Sequence, residues 1–133
     1  MKKVTVAVAV AMYGLLATAV AQTPQLVNPA SQNCIKLGGA LKIERRPDGG
    51  QFGVCTFVDN YQCEEWALFR GECPKEGVRV TGYVTPAGRF CAITGGRYAV
   101  VSGSTAGDEK GVCSLPGGKA CSADAYYAGT CRR

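Results

Sequence analysis

Eight cysteines fall at positions 34, 55, 63 and 73 and again at 91, 113, 121 and 131, so the gaps 21, 8, 10 recur as 22, 8, 10. Such spacing marks a module written twice, with a period of 57 residues that becomes 58 after a single insertion. Other residues keep the offset. Pro29-Ala30 matches Pro86-Ala87, Gly38-Gly39 matches Gly95-Gly96, and Gly53-Val54-Cys55 matches Gly111-Val112-Cys113. Ala67, Gly71 and Cys73 match Ala125, Gly129 and Cys131. A unit the size of Asn28 to Cys73 exposes too much surface to be held by burial alone and needs staples. A disulfide that closes a loop of roughly 15–20 residues contributes about 3 kcal/mol in the chain-entropy view.

Cys34, Cys55, Cys63, Cys73, Cys91, Cys113, Cys121 and Cys131 are therefore read as structural disulfide partners. Thiol exchange favours Cys-x-x-Cys, which is absent. Zinc knuckles want cysteines two to four residues apart, and the chain has no histidine. No metal and no cofactor is expected. The missing histidine also removes Ser-His-Asp and Cys-His catalysis.

The N-terminus reads as an address. Met1-Lys2-Lys3 is a short positive region, Val4 to Val20 is an Ala- and Val-rich apolar run, and Ala19-Val20-Ala21 fits a small-x-small cleavage site. The expected organisation is a signal peptide over 1–21, module 1 over 22–73, a linker or edge strand over 74–84 and module 2 over 85–133. Removing Lys2 and Lys3 lowers the net charge from +5 to +3. No later stretch is apolar enough to span a bilayer. The expectation is an exported bacterial protein, periplasmic or secreted, with no stable membrane span after signal cleavage, in a compartment where disulfides persist. A net charge of +3 is too weak to argue for nucleic acid. Lys42, Arg45 and Arg46 gather at one strand and Arg132 and Arg133 at the tail, and a solvated surface is the preferred reading of both.

One copy serves as a guide to both. Asn28 and Thr85 are suited to N-capping, each followed by Pro at the first helical position, and the helix stops at Gly38-Gly39 or Gly95-Gly96. Ala40 to Arg46 alternates, Leu41 and Ile43 against Lys42 and Glu44, which predicts a strand with one wet face. Pro47-Asp48-Gly49-Gly50 is a turn, Phe52 to Val58 the return strand, and Asp59-Asn60 the next turn, matched by Pro116-Gly117-Gly118. Glu64 to Arg70 reads as a second helix ended by Gly71, with a short strand preceding each module. The fold class is α+β: two tandem disulfide-stapled α-β-β-α modules in one compact body, each a β-hairpin packed with two short helices.

Four cysteines per module allow three pairings. Seven helical residues span about 10 Å, whereas bridged Cα atoms lie within about 7 Å. That geometry disfavours Cys63–Cys73, unless the chain after Gly71 turns back.

Asn28-Pro-Ala-Ser31, Cys34, Gly38-Gly39, Gly49-Gly50, Gly53-x-Cys55 and Cys63-Glu-Glu-Trp-Ala-Leu-Phe-Arg-Gly-Glu-Cys73 resemble a small exported bacterial domain, the domain-of-unknown-function family 333. The second copy diverges: Glu64-Glu65-Trp66 becomes Ser122-Ala123-Asp124, and Arg70 becomes Ala128. The resemblance implies an envelope or secreted domain without an assigned chemistry. Members often carry a hemolysin label, which nothing in these residues explains.

The candidate binding residues are Trp66, Phe69, Arg70, Glu64 and Glu65. Trp66 is the sole tryptophan, with Phe69 and Arg70 at i+3 and i+4. One reading is an exposed aromatic–arginine patch, since Trp and Arg are enriched at binding hot spots. The preferred reading is a buried face of Trp66 and Phe69 against the hairpin, although a core position should not accept the equivalent Asp124. Tyr126 and Tyr127 would then fill the space in copy two. Adjacent glutamates point about 100° apart on a helix and do not share a site, so glycoside-type chemistry is not expected.

The leading reading is a non-catalytic binding module whose partner is an unidentified protein or cell-envelope component. Its rivals are a membrane-active hemolysin-like protein and an enzyme inhibitor acting through Pro47–Gln51 or Ser102–Glu109.

Overall fold

A computed structural model describes Gly14 and residues 28–133. The signal-peptide reading of 1–21 and the strand expected before module 1 fall outside the described residues, Gly14 apart.

Module 1 begins with α1 (Pro29–Lys36), started by the Asn28 side chain, which accepts hydrogen bonds from the Ala30 and Ser31 amides. Next come β1 (Ala40–Arg45) and β2 (Gln51–Thr56), paired antiparallel from Ala40↔Thr56 to Arg45↔Gln51. Asp59 and Asn60 both lie at positive φ (56° and 62°), the left-handed pair that a two-residue hairpin turn requires and that Asp and Asn tolerate. This turn leads into a third strand, β3 (Tyr61–Glu64), where the sequence reading had only the approach to a helix. The helix itself, α2 (Glu65–Phe69), is five residues long. The linker contributes β4 (Val78–Arg79), which pairs with β3 and completes the sheet order β1-β2-β3-β4.

Module 2 repeats the plan with α3 (Pro86–Ile93), β5 (Arg97–Ser102), β6 (Lys110–Ser114), β7 (Ala120–Ser122) and α4 (Ala123–Tyr127). Its sheet order is β5-β6-β7. Gly117 and Gly118 take the left-handed turn that Asp59 and Asn60 take in copy one. The inserted residue has a place: pairing runs Val100↔Gly111 and then Ser102↔Lys110, which leaves Val101 as a β-bulge.

All eight cysteines are bridged, as Cys34–Cys55, Cys63–Cys73, Cys91–Cys113 and Cys121–Cys131. The objection to Cys63–Cys73 fails for two reasons. Cys63 is on β3, not on the helix, and the helix is too short to carry its ends apart. Gly71 then takes φ +75° and the amides of Glu72 and Cys73 both return to the Ala67 carbonyl. The chain reverses, and the two Cα atoms lie 5.9 Å apart.

Each module has its own core around its disulfides. Cys34, Cys55, Cys63, Ala67, Leu68 and Cys73 form the first, and Cys91, Cys113, Leu115 and Cys121 the second. A third cluster joins them: Val54 with Val80 and Ile93, flanked by Phe52, Val78 and Tyr83. The supposed wet face of β1 is thus the face that receives α3. Arg89 of α3 donates to both carboxylate oxygens of Glu44 (2.7 and 3.0 Å) and to the Gln62 side chain. Ile43, assigned to the inner face, is 54% exposed. The alternation of β1 was real, but a partner 45 residues away decided which side was covered.

Candidate functional site

The C-terminal ends of both modules meet the β1–β2 hairpin and enclose a groove of about 470 Å³. Its lining includes Arg46, Gln51 and Phe52 from the hairpin, Glu64, Trp66 and Arg70 from around α2, Phe90 and Thr94 from α3, and Tyr126, Arg132 and Arg133 from the end of the chain. That volume is in the ordinary range for small-ligand sites.

The apolar floor comes from Phe90. Its ring lies 5.1 Å from Phe52 at an edge-to-face 76°, and 5.1 and 5.2 Å from Tyr126 and Tyr127. Trp66 forms part of the wall and is 39% exposed, with its ring edge-to-face on Phe69 at 5.8 Å. The expectation that Trp66 and Phe69 pack inward on the hairpin is therefore corrected. On a five-residue helix whose buried side is filled by Glu65, Ala67 and Leu68, positions 66 and 69 point outward. Asp124, which replaces Trp66 in copy two, is on the corresponding exposed face, where it pairs with Lys110 at 2.9 Å.

The five candidates have separate duties. Trp66, Arg70 and Glu64 line the groove. Phe69 faces a second, shallower groove of about 760 Å³ along α1, beside Ile35 and Lys36. Glu64 is the N-cap of α2, with its carboxylate accepting the Trp66 and Ala67 amides at 3.1 and 2.8 Å. Burial pushes its carboxyl above the ordinary carboxylate value, against the pull of those amides. Glu65 is buried and ties α2 to α1 by accepting hydrogen bonds from Ser31 Oγ (2.5 Å) and Asn28 Nδ2 (3.2 Å). The two glutamates do diverge, but not as neighbours on one helix: Glu64 ends β3 and Glu65 begins α2.

The arginines are what that reading left on the solvated surface. Arg46, Arg132 and Arg133 join Arg70 in one groove. Glu72 accepts from both Arg70 (3.2 Å) and Arg133 (2.6 Å). Burial disfavours its charge, but the two guanidinium groups outweigh that and hold its carboxyl below the ordinary value. Arg46 pairs with Asp48 at 3.3 Å, and its Nε is enclosed without a hydrogen-bond partner. Arg132 donates its Nε to the Gly129 carbonyl at 3.0 Å. The only trace of this gathering in the sequence was the doublets Arg45-Arg46 and Arg132-Arg133.

The family model described as Domain of unknown function (DUF333) matches residues 25–72 and again 82–130. The chain belongs to the DUF333 family. It carries two copies in tandem, as the cysteine spacing indicated. No curated protein and no solved structure matches it. What is established for this DUF333 chain is a small disulfide-rich tandem domain. Among the described residues no helix is long and apolar enough to cross a membrane, and no cluster of three or more His, Cys, Asp or Glu is placed to hold a metal.

Proposed function

We propose that this DUF333 chain is an exported, non-catalytic binding module that engages a protein or cell-envelope component through the groove between its two modules. The observation that carries the reading is Trp66, left 39% exposed on the wall of a groove lined by arginines, where burying it in a core would have been worth about 2–3 kcal/mol. An indole kept at such a cost, beside guanidinium groups, has the composition of a binding hot spot. Both neighbouring glutamates are committed to structure, Glu64 to a helix cap and Glu65 to Ser31 and Asn28, which supports a non-catalytic role. Export is supported by the basic, apolar and small-x-small succession at residues 2–21 and by four disulfides, which persist outside reducing compartments.

The test is capture from an envelope fraction by the immobilised mature protein, beside a Trp66→Ser variant with an unchanged melting temperature. Loss of a specifically captured component in the variant supports the groove. Equal capture by both proteins rejects it. Hydrolysis of a peptide, glycan or ester that depends on Glu64 or Glu65 would reject the non-catalytic reading.

A further inference from the structure

We infer that the inter-module groove binds an oxyanion, a carboxylate or a phosphate, carried next to a flat ring that stacks on Trp66. This deepens the binding reading above and rests on it.

Four guanidinium groups line the groove, those of Arg46, Arg70, Arg132 and Arg133, against a single lining carboxylate, Glu64. Both Glu64 oxygens accept from the amides at the start of α2, and Glu64 acts on Arg70 only through space, with no ion pair to any of the four among the described residues. Two of the arginines share one carboxylate, Glu72. Arg46 pairs one terminal nitrogen with Asp48 and retains an enclosed Nε with no partner. Arg132 spends Nε on a backbone carbonyl, and neither of its terminal nitrogens has an ion-pair partner among the described residues. Guanidinium forks match the planar oxygens of carboxylate and phosphate, and such pairs are the strong class of hydrogen bond.

The floor supplies the other half of the specificity. Phe52, Phe90 and Tyr126 keep the base of the groove apolar, which lowers the local dielectric and strengthens attraction to an anion. Trp66 presents its ring at the wall, within the same lining as the arginines. An anion alone would satisfy the guanidinium groups and leave the indole uncovered. A neutral ring alone would cover the indole and leave the arginines unanswered. A ring bearing an oxyanion does both.

Trp66 is the only tryptophan in the chain, so its fluorescence reports on the groove directly. The mature, oxidised protein is titrated with phenyl phosphate, benzoate, inorganic phosphate and benzyl alcohol. Phenyl phosphate or benzoate is expected to give a saturable change with a Kd at least about tenfold below that of benzyl alcohol. Inorganic phosphate, lacking the ring, should bind more weakly than phenyl phosphate. The tighter of the two aromatic anions assigns the source, phosphate or carboxylate. Raising salt from roughly 50 to 500 mM should weaken binding at least about threefold, since the groove is open to solvent. Arg132→Gln, on an exposed side chain, should raise Kd about tenfold without moving the melting temperature.

Benzyl alcohol binding as tightly as the anions would overturn the inference, as would a Kd indifferent to Arg132→Gln, or no saturable change below roughly 10 mM. The envelope capture distinguishes loss of the oxyanion site from loss of the groove. Capture lost in Trp66→Ser but intact in Arg132→Gln keeps the groove and removes the oxyanion. Capture intact in both removes the groove.

Discussion

Gly39 and its copy Gly96 sit where no side chain fits. A Cβ on Gly39 would lie 2.3 Å from the Cys55 sulfur and 3.0 Å from that of Cys34, and one on Gly96 would lie 2.5 and 2.8 Å from Cys113 and Cys91. The second glycine of each pair therefore exists for the disulfide, not for the helix cap that the sequence suggested. Gly39→Ala should destabilise module 1 by about 1–3 kcal/mol, the usual cost of overfilling a tight interior, read by urea unfolding of the oxidised protein. Glu65 shows a different residue-scale device. In copy one it lies over Gly53 and under Ser31; in copy two the matching residues are Ala123, Gly111 and Gly88, and the Tyr98 ring fills the space between the two glycines. One copy closes the gap with a hydrogen-bonded carboxylate and the other with an aromatic ring. Single-residue alignment shows each change but not that they compensate, because the exchange crosses three elements.

Among the elements, α2 and α4 have five residues each, well below the length at which a helix holds itself in water. Their stability is borrowed from the Cys63–Cys73 and Cys121–Cys131 bridges and from the caps at Glu64 and Ser122. A Cys63→Ser/Cys73→Ser double variant should lose about 2–3 kcal/mol and show early amide exchange across Glu65–Phe69, measured by hydrogen–deuterium exchange. Glu64→Gln keeps a cap oxygen while removing a charge that burial disfavours. Because the folded carboxyl is raised, wild-type stability gains as pH falls through that raised value, and the variant should lose this gain while staying within about 1 kcal/mol of wild type at neutral pH. The third strand, β3, was missed for a local reason: Tyr61-Gln62-Cys63-Glu64, running straight into Glu65 of the helix, carries little alternation, and β3 is specified by pairing with β2 through Val54↔Glu64 and Cys55↔Cys63.

For the molecule as a whole, the junction is held by Ile93 and Phe90 of α3 on the module 1 sheet and by the forked pair of Arg89 with Glu44. The Arg89 hydrogen bonds, ahead of other effects, hold the Glu44 carboxyl below its ordinary value near 4.5. Its contribution is therefore complete above that ordinary value and lost as pH falls through the depressed one. Arg89→Ala should cost roughly 1–2 kcal/mol at pH 7, and a Glu44→Gln variant should approach wild-type stability in acid, both followed by denaturant melts across pH. The junction is not built to propagate. At the positions of α1 that match Arg89, Phe90 and Ile93 stand Gln32, Asn33 and Lys36, a polar surface that cannot dock on a second copy's sheet. Light scattering should find a monomer up to about 100 μM.

The eight cysteines, read only as spacing, already contained the duplication, the insertion that became the Val101 bulge, and the need for staples in so small a unit. Capping residues and turn glycines placed the first helices and the hairpins, because those signals act over a few neighbouring residues. Three features were settled only when the chain closed on itself. Cys63 met Cys73 because backbone reversal at Gly71 is a matter of dihedral angles, which length arithmetic ignores. The Lys42–Glu44 face became an interface because α3, more than 40 residues further on, covered it. Arg46, Arg70, Arg132 and Arg133 became one groove because the hairpin and both C-terminal ends converge there. Periodicity records that an element has two unlike sides, whereas which of them is covered, and by what, is decided by contacts between residues far apart in the chain.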